Sequence, residues 1–336
     1  MRLVGPVRIV GDSVDDNVML PLATYETPLW PSVGRGARVT SLAGGIKATL
    51  IDERMTRSIL LEAEDATQAL TAWRSISGRI DEMNRVVRES SRFATLINLH
   101  NQIVGNMLYI RLEFTTGDAS GHNMVTLASE NLQNWILGQY PQLKYTSISA
   151  NYCTDKKASA VNGILGRGKN VVCEVTIPRA LCKRRLNTTP EAVVDLNIKK
   201  NLIGTMLAGG LRSANAHFAN MLLAFYLATG QDAANIVEGS QGIVHAEVRD
   251  GDLYFSVSLP NLIVGTVGNG KGGSEGLDFV DDNLRLMGCR EERAPGENAR
   301  RLAIICAACV LCGELSLLAA QTNPGELMAA HLKFER

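Results

Sequence analysis

Asp155, Lys156 and Lys157 stand side by side in residues 151–162, NYCTDKKASAVN, between two apolar stretches. A second lysine pair, Lys199–Lys200, also borders apolar, glycine-rich sequence. Solvated charge is the ordinary reading of either pair. A lysine held beside a carboxylate in a dry site can instead stabilise a developing oxyanion. Acids nearby would supply protons, with pKa values set by burial and neighbours. Candidate acids are Glu26, in TYETPLWPS, and Asp232, in TGQD at the end of a long apolar stretch.

Two glycine-rich loops offer anion sites. Residues 265–273, GTVGNGKGG, nearly satisfy the P-loop pattern, but Gly272 stands where Ser or Thr must hold magnesium, so the match fails. Backbone approach to a phosphate and a plain turn both remain open there. GDASG, 117–121, lies between a strand pattern and a helix pattern, where backbone N–H groups attract anions. Many ordinary turns look the same. LCKRRL, 181–186, reads as a basic surface, and His331 is a lone histidine near the C-terminus.

Cys306, Cys309 and Cys312 form CxxCxxC. The fourth cysteine and following proline of an iron–sulfur motif are missing and the spacers are apolar, so small buried thiols on a core helix are expected, with no metal. The seven cysteines, an odd number, in a chain whose start does not read as an export signal fit reduced thiols in the cytoplasm. Thirty-four basic residues balance thirty-four acidic ones, which argues against a dedicated nucleic-acid binder. Residues 302–320 are the most apolar stretch; Glu314 interrupts it, so a buried core helix is expected rather than a membrane span.

Elements must position these groups. Residues 65–89 predict one or two helices capped by Asp65, with Ala69, Leu70, Trp73, Ile76, Ile80 and Met83 at helical spacing. Strands are expected over 107–114 and 170–178, and a helix follows GDASGHNM through Leu132. Thr189 caps a helix with Pro190 in its first turn. Residues 201–229 predict one central buried helix, and 298–320 the last long helix. Alternating runs around Asp250–Gly251 predict a hairpin. The fold class is α+β.

NYCTDKKASAVNGILGRGKNVVCEVTIP, KKNLIGTMLAGGLRSANAHFAN, ATGQDAANIVEGS, LPNLIVGTVGNG and PGENARRLA, with DERMTR, SSRFATL and GDASGHNM in family order, resemble the 3-hydroxy-3-methylglutaryl-coenzyme A (HMG-CoA) reductases. The likeness runs from about residue 20 to 331 and is nearest to the biosynthetic class I. It implies a large domain, 1–58 and 147–336, around a long central helix, with a small ferredoxin-like cofactor-binding domain inserted at 59–146. It implies reduction of the HMG-CoA thioester to mevalonate by two hydride transfers from NADPH, with CoA released midway.

By that resemblance Lys156 holds the oxyanion, Glu26 donates a proton to the aldehyde oxygen, Asp232 couples the two, and His331 protonates the CoA thiolate. Arg57, Ser149, Asp155, Lys157, Lys200, His217 and Asn220 surround the HMG group, and Arg35 meets a CoA phosphate. Asp118, Ser120, Gly121, His122, Asn123 and Met124 form the cofactor loop, Gly265 and Gly268 border it, and Ser91 and Arg92 meet the 2′-phosphate. Ser120 and His122 replace family methionines, and YETPLWPSVGRG differs from the family pattern on both sides of Glu26. The usual N-terminal helical domain has no counterpart ahead of Glu26, and a membrane anchor is not expected. The resemblance also implies a homodimer or homotetramer with active sites between subunits. The competing readings are an NAD-dependent enzyme running toward HMG-CoA, and a catalytically weak acyl-CoA-binding relative or partner subunit.

Overall fold

The computed structural model describes residues 1–268 and 278–334, without the side chains of Ala330, His331 and Phe334. Its strands are β1 (Arg2–Val10), β2 (Asp16–Leu22), β3 (Ile46–Glu62), β4 (Thr95–Val104), β5 (Met107–Thr115), β6 (Lys144–Ile148), β7 (Gly168–Ile177), β8 (Ile243–Arg249) and β9 (Asp252–Leu262). The seventeen-residue β3 organises them. Its first part pairs with β1 in parallel and with β7 antiparallel, in a sheet ordered β2-β1-β3-β7-β9-β8. From Met55 onward it pairs antiparallel with β5, and farther along with β6. Its pairing with β7 passes a register shift between Leu50 and Asp52 and runs on to Arg54, and its pairing with β5 starts at Met55, so β3 changes sheets between those two residues.

The second group has the order β4-β5-β3-β6, with every pairing antiparallel. Helices Ala66–Ser77 and Ile80–Ser90 connect β3 to β4, and His122–Gln139 connects β5 to β6. This is the β-α-β-β-α-β ferredoxin-like arrangement, with the helical connection doubled. Its core includes Ile59, Ile110, Phe114, Leu132 and Ile136. A separate core includes Ile9, Val171, Phe225 and Phe255 packed with the helix Glu297–Gln321.

That helix is long and apolar enough to cross a membrane, but 94% of its apolar window is buried inside the protein. A helix apolar on all sides belongs in a core. A Cβ on Gly36 would fall 2.0 Å from the carbonyl oxygen of Cys312, so helix Leu29–Leu42 crosses it in direct contact. Cys306, Cys309 and Cys312 are buried on it as free thiols, and burial pushes all three pKa values up.

Local signals materialise where expected. The Asp65 carboxylate accepts from Gln68 N at 2.7 Å, and Gly78 separates the two helices that follow. Thr189 caps Pro190–Leu196, and the hairpin turns at Asp250 and Gly251, both with positive φ. The expected helix over 201–229 is corrected. Helical turns cover Asn197–Gly204 and Thr205–Leu207; residues 208–217 leave the helix; a new one runs Phe218–Thr229. Gly209 and Arg212 take positive φ, and buried Glu314 accepts the N–H groups of Ala216 and His217 just ahead of the new helix. The last long helix is Glu297–Gln321, as expected, and a short one, Glu326–Phe334, follows it.

Candidate active site

The lysine loop begins where β6 ends. Ser149, Asn151, Thr154 and Lys156 all take positive φ, a costly conformation that persists only when neighbours over-determine it. Strand β3 supplies much of that hold. Ser149 N and Ala150 N donate to Ser58 O at 2.7 and 3.1 Å, Cys153 N donates to Ser58 Oγ at 3.0 Å, and Thr56 Oγ1 donates to Cys153 O at 3.1 Å. Asn162 Nδ2 donates to Thr154 O at 3.0 Å, and Lys156 N to Glu238 Oε1 at 3.0 Å.

So held, Lys156 Nζ lies 2.8 Å from Asp232 Oδ2. The hydrogen bond that Lys156 donates to the Asp232 carboxylate raises the lysine pKa. Burial works to raise Asp232, but the hydrogen bond and charge of Lys156 outweigh it and the carboxyl is lowered. Both groups are therefore charged across the neutral range.

Behind this pair lies a charge that the sequence reading missed. Arg167 is fully buried, with Nη2 3.0 Å from Asp155 Oδ1, Nη1 2.8 Å from Glu238 Oε1 and Nε donating to Thr56 Oγ1 at 3.2 Å. It joins the carboxylate beside Lys156 to the carboxylate that holds the Lys156 backbone. Its only local signal was a lone arginine between two glycines, Gly166 and Gly168, both at positive φ. Arg57, on β3, donates to Ser149 Oγ at 3.1 Å and Thr126 Oγ1 at 2.6 Å, and lies 3.8 Å from Asp155 Oδ2.

Lys156, Asp155, Asp232 and Arg57 line a cavity of about 740 Å³ with Ser120, Gly121, His122, Asn123, Met124 and Gly268. Gly265 presses its loop onto the loop 117–121: a Cβ there would fall 2.3 Å from Ser120 N. Gln231 clamps Gly265, donating to its oxygen at 3.0 Å and accepting from its nitrogen at 2.9 Å. Asp118 works differently from its neighbours. Its carboxylate accepts from Gly296 N and Ala299 N, both at 2.9 Å, and so caps the core helix rather than lining the cavity.

A second cavity of about 380 Å³ is lined by Glu26, Arg35, His217, Asn220, Ser316 and Glu326, among others. Asn220 Nδ2 donates to Glu26 Oε2 at 2.7 Å and faces His217 Nδ1 at 3.4 Å. His217 Nε2 lies 3.1 Å from the carbonyl oxygen of Gly313, so that nitrogen carries the proton. Burial pushes His217 down to about 4 and Glu314 up to about 7, and it lowers Lys200. Arg35 is bound to Glu326 at 2.8 Å and to Ser316.

Glu26 and Lys156 thus line different cavities in one copy of the chain. Lys157 is exposed and donates to Asp155 O at 3.1 Å. Ser91 and Arg92 line neither cavity; they form the turn after helix Ile80–Ser90, with the Arg92 guanidinium 4.8 Å from the Phe93 ring centre. The His331 side chain lies outside the described residues.

The family model of hydroxymethylglutaryl-coenzyme A reductase matches residues 1–336. The chain is 44% identical over 323 residues to the 3-hydroxy-3-methylglutaryl-coenzyme A reductase of Pyrococcus horikoshii, covering 95% of this chain and 77% of that one. It is 40% identical to the reductase of Methanothermobacter thermautotrophicus, over 100% of this chain and 82% of that one. A class II reductase from Streptococcus pneumoniae, solved bound to NADPH in open conformations, superposes with a TM-score of 0.75 at 20% identity, over 96% of this chain and 84% of that one, and so shares the fold. The chain belongs to the hydroxymethylglutaryl-coenzyme A reductase family.

Proposed function

We propose that this chain reduces HMG-CoA to mevalonate and free CoA, consuming two NADPH and two protons. The observation that carries the reading is the Lys156–Asp232 pair at 2.8 Å in the wall of a cavity shared with the glycine-rich loop 117–121. The cavity has the volume of a cofactor site. Gly121 and Gly265 let the loop pack where a Cβ would clash with Thr116 and with the Ser120 backbone, and helix His122–Gln139 starts there, with the positive end of its dipole toward an anion in the cavity. The nicotinamide cofactor supplies hydride in each of the two reductions.

The chain supplies the rest. Lys156 places a positive charge where the thioester carbonyl, and later the aldehyde, becomes an alkoxide. Asp232 keeps that lysine protonated. Arg57 and Ser149, bonded to each other beside Asp155, hold the acidic end of the substrate. Glu26 donates the proton to the aldehyde oxygen, Asn220 fixes its orientation, and His331 protonates the departing thiolate. His217 and Lys200 flank the acyl group, and Arg35 takes a CoA phosphate.

Residues 59–146 form the small cofactor-binding domain, inserted between 1–58 and 147–336. Half-buried Ser91 and exposed Arg92, beyond the cavity, take the 2′-phosphate and favour NADPH over NADH. Glu26 and Lys156 lie in separate cavities, which supports a homodimer or a larger homo-oligomer in which each active site joins one cavity from each subunit. Seven buried free cysteines suit a reducing cytoplasm.

The test is NADPH oxidation with HMG-CoA, the product identified as mevalonate by mass spectrometry, beside Lys156→Ala. Turnover in the parent and its loss in the folded variant support the reading. A folded parent that turns over neither NADPH nor NADH overturns it.

A further inference from the structure

His122 is the first residue of helix His122–Gln139 and lines the same cavity as Lys156 and Asp232. Its Nδ1 lies 3.3 Å from Ser120 Oγ, so a hydroxyl donating there leaves the proton on Nε2. That Nε2 lies 4.0 Å from Asp155 Oδ1. Both atoms are buried and neither makes a hydrogen bond; Arg167 Nη2 is 3.0 Å from the same Oδ1 but out of line for one. A buried donor and a buried acceptor facing each other unjoined are costly, and a shift of about 1 Å would join them. Asp155 is covalently next to Lys156, and Ser120 to Met124 line the cavity that the cofactor would enter.

We propose that His122 is a positioning residue for Lys156: through Asp155 it ties the cofactor loop to the lysine loop, and its protonation uncouples them. The proposal rests on the cofactor reading of this cavity given above. The charged groups facing the ring are Asp155 and Lys156 on the lysine loop, Arg167 ahead of β7, Asp232 after helix Phe218–Thr229, and Arg57 on β3. Neutral His122 gives Asp155 one donor and leaves it paired with Arg57 and Arg167. An imidazolium would be a fourth cation among Arg57, Arg167 and Lys156, facing Asp155 and Asp232, with Glu238 already bound to Arg167. It would draw Asp155 toward itself and repel the Lys156 ammonium. Burial, then Arg167, lower the His122 pKa, so the ring is neutral at pH 7 and turnover is lost on the acid side.

The experiment combines the pH dependence of kcat with imidazole ¹⁵N NMR, on the parent, His122→Gln and His122→Met. Gln keeps a donor but cannot titrate; Met keeps neither property. The parent should show an acid limb falling about tenfold per pH unit, at the pH where the His122 resonance titrates. That limb should be missing in both variants, with the Met plateau about fivefold below the Gln plateau. NADPH should shift the His122 resonance, and Asp155→Asn should lower its pKa further. Superimposable pH profiles in all three proteins would overturn the proposal. If the parent is inactive at every pH, the function proposed above fails, and the response of His122 to Asp155→Asn alone decides the contact: a lower pKa supports it and an unchanged one overturns it.

Discussion

Asn220 donates its side-chain amide to Glu26 at 2.7 Å, and this pair lines a different cavity from Lys156 and Asp232. If each active site draws one cavity from each of two subunits, Glu26→Gln and Lys156→Ala disable different halves. Co-expressed, the two inactive variants should regain part of the parental activity, because one site of the mixed dimer receives both native halves. Separately purified variants should stay inactive. Activity assays on co-purified, differently tagged subunits check this, and no recovery would place Glu26 and Lys156 in one subunit's site.

Asp232 raises the Lys156 pKa through a direct hydrogen bond. Asp232→Asn should reduce kcat by about 10²–10³-fold. Both side chains are more than a third exposed, so the pair contributes little to stability and the melting temperature should hardly move. Steady-state kinetics with a thermal melt on the same sample separates the two effects.

Glu314 and His217 give opposite pH slopes to stability. A folded carboxyl at about 7 keeps a proton that the unfolded chain has lost, so Glu314 makes stability fall as pH rises from about 4.5 to about 7. A folded imidazole at about 4 has lost a proton that the unfolded chain still holds, so His217 makes stability rise from about pH 4 to about 6.5. Each effect is about 3 kcal/mol at full extent and they oppose over most of that window. Urea unfolding should therefore show stability rising with pH in Glu314→Gln and falling with pH in His217→Gln.

A methyl group on Gly265 would meet Ser120 N at 2.3 Å and the Ala119 carbonyl carbon at 2.8 Å. Backbone cannot swing aside as a side chain can, so Gly265→Ala must displace the loop 117–121, which the proposed function gives to the cofactor. The KM for NADPH should rise about tenfold or more, because small misplacements at a binding loop are costly. The KM for HMG-CoA should change less, and initial rates over both substrates test the split.

Much of the local structure was legible before any coordinates. Asp65 and Thr189 cap the helices they were expected to cap, the Asp250–Gly251 hairpin turns where expected, and the apolar stretch with Glu314 in it is the core helix. These features are encoded within a few residues, by side chains that meet their own backbone or repeat at helical spacing. The break between Gly204 and Phe218 was not legible from composition, because the apolar residues continue on both sides. What closes that break is Glu314, about a hundred residues away. Nor does the sequence show that β3 serves two sheets, since its partners are set by packing.

For the site, the sequence alone determined the inventory: Glu26, Lys156, Asp232 and the glycine-rich loops were marked by residue type and by resemblance. Only the tertiary structure decided which of them meet. It joined Lys156 to Asp232, set fully buried Arg167 between Asp155 and Glu238, turned Asp118 to the core helix, and left Glu26 in another cavity. The physical reason is reach. A cap or a turn is satisfied within a few residues of chain, whereas an ion pair or a shared cavity depends on distances through space, which exist only once the two cores have packed.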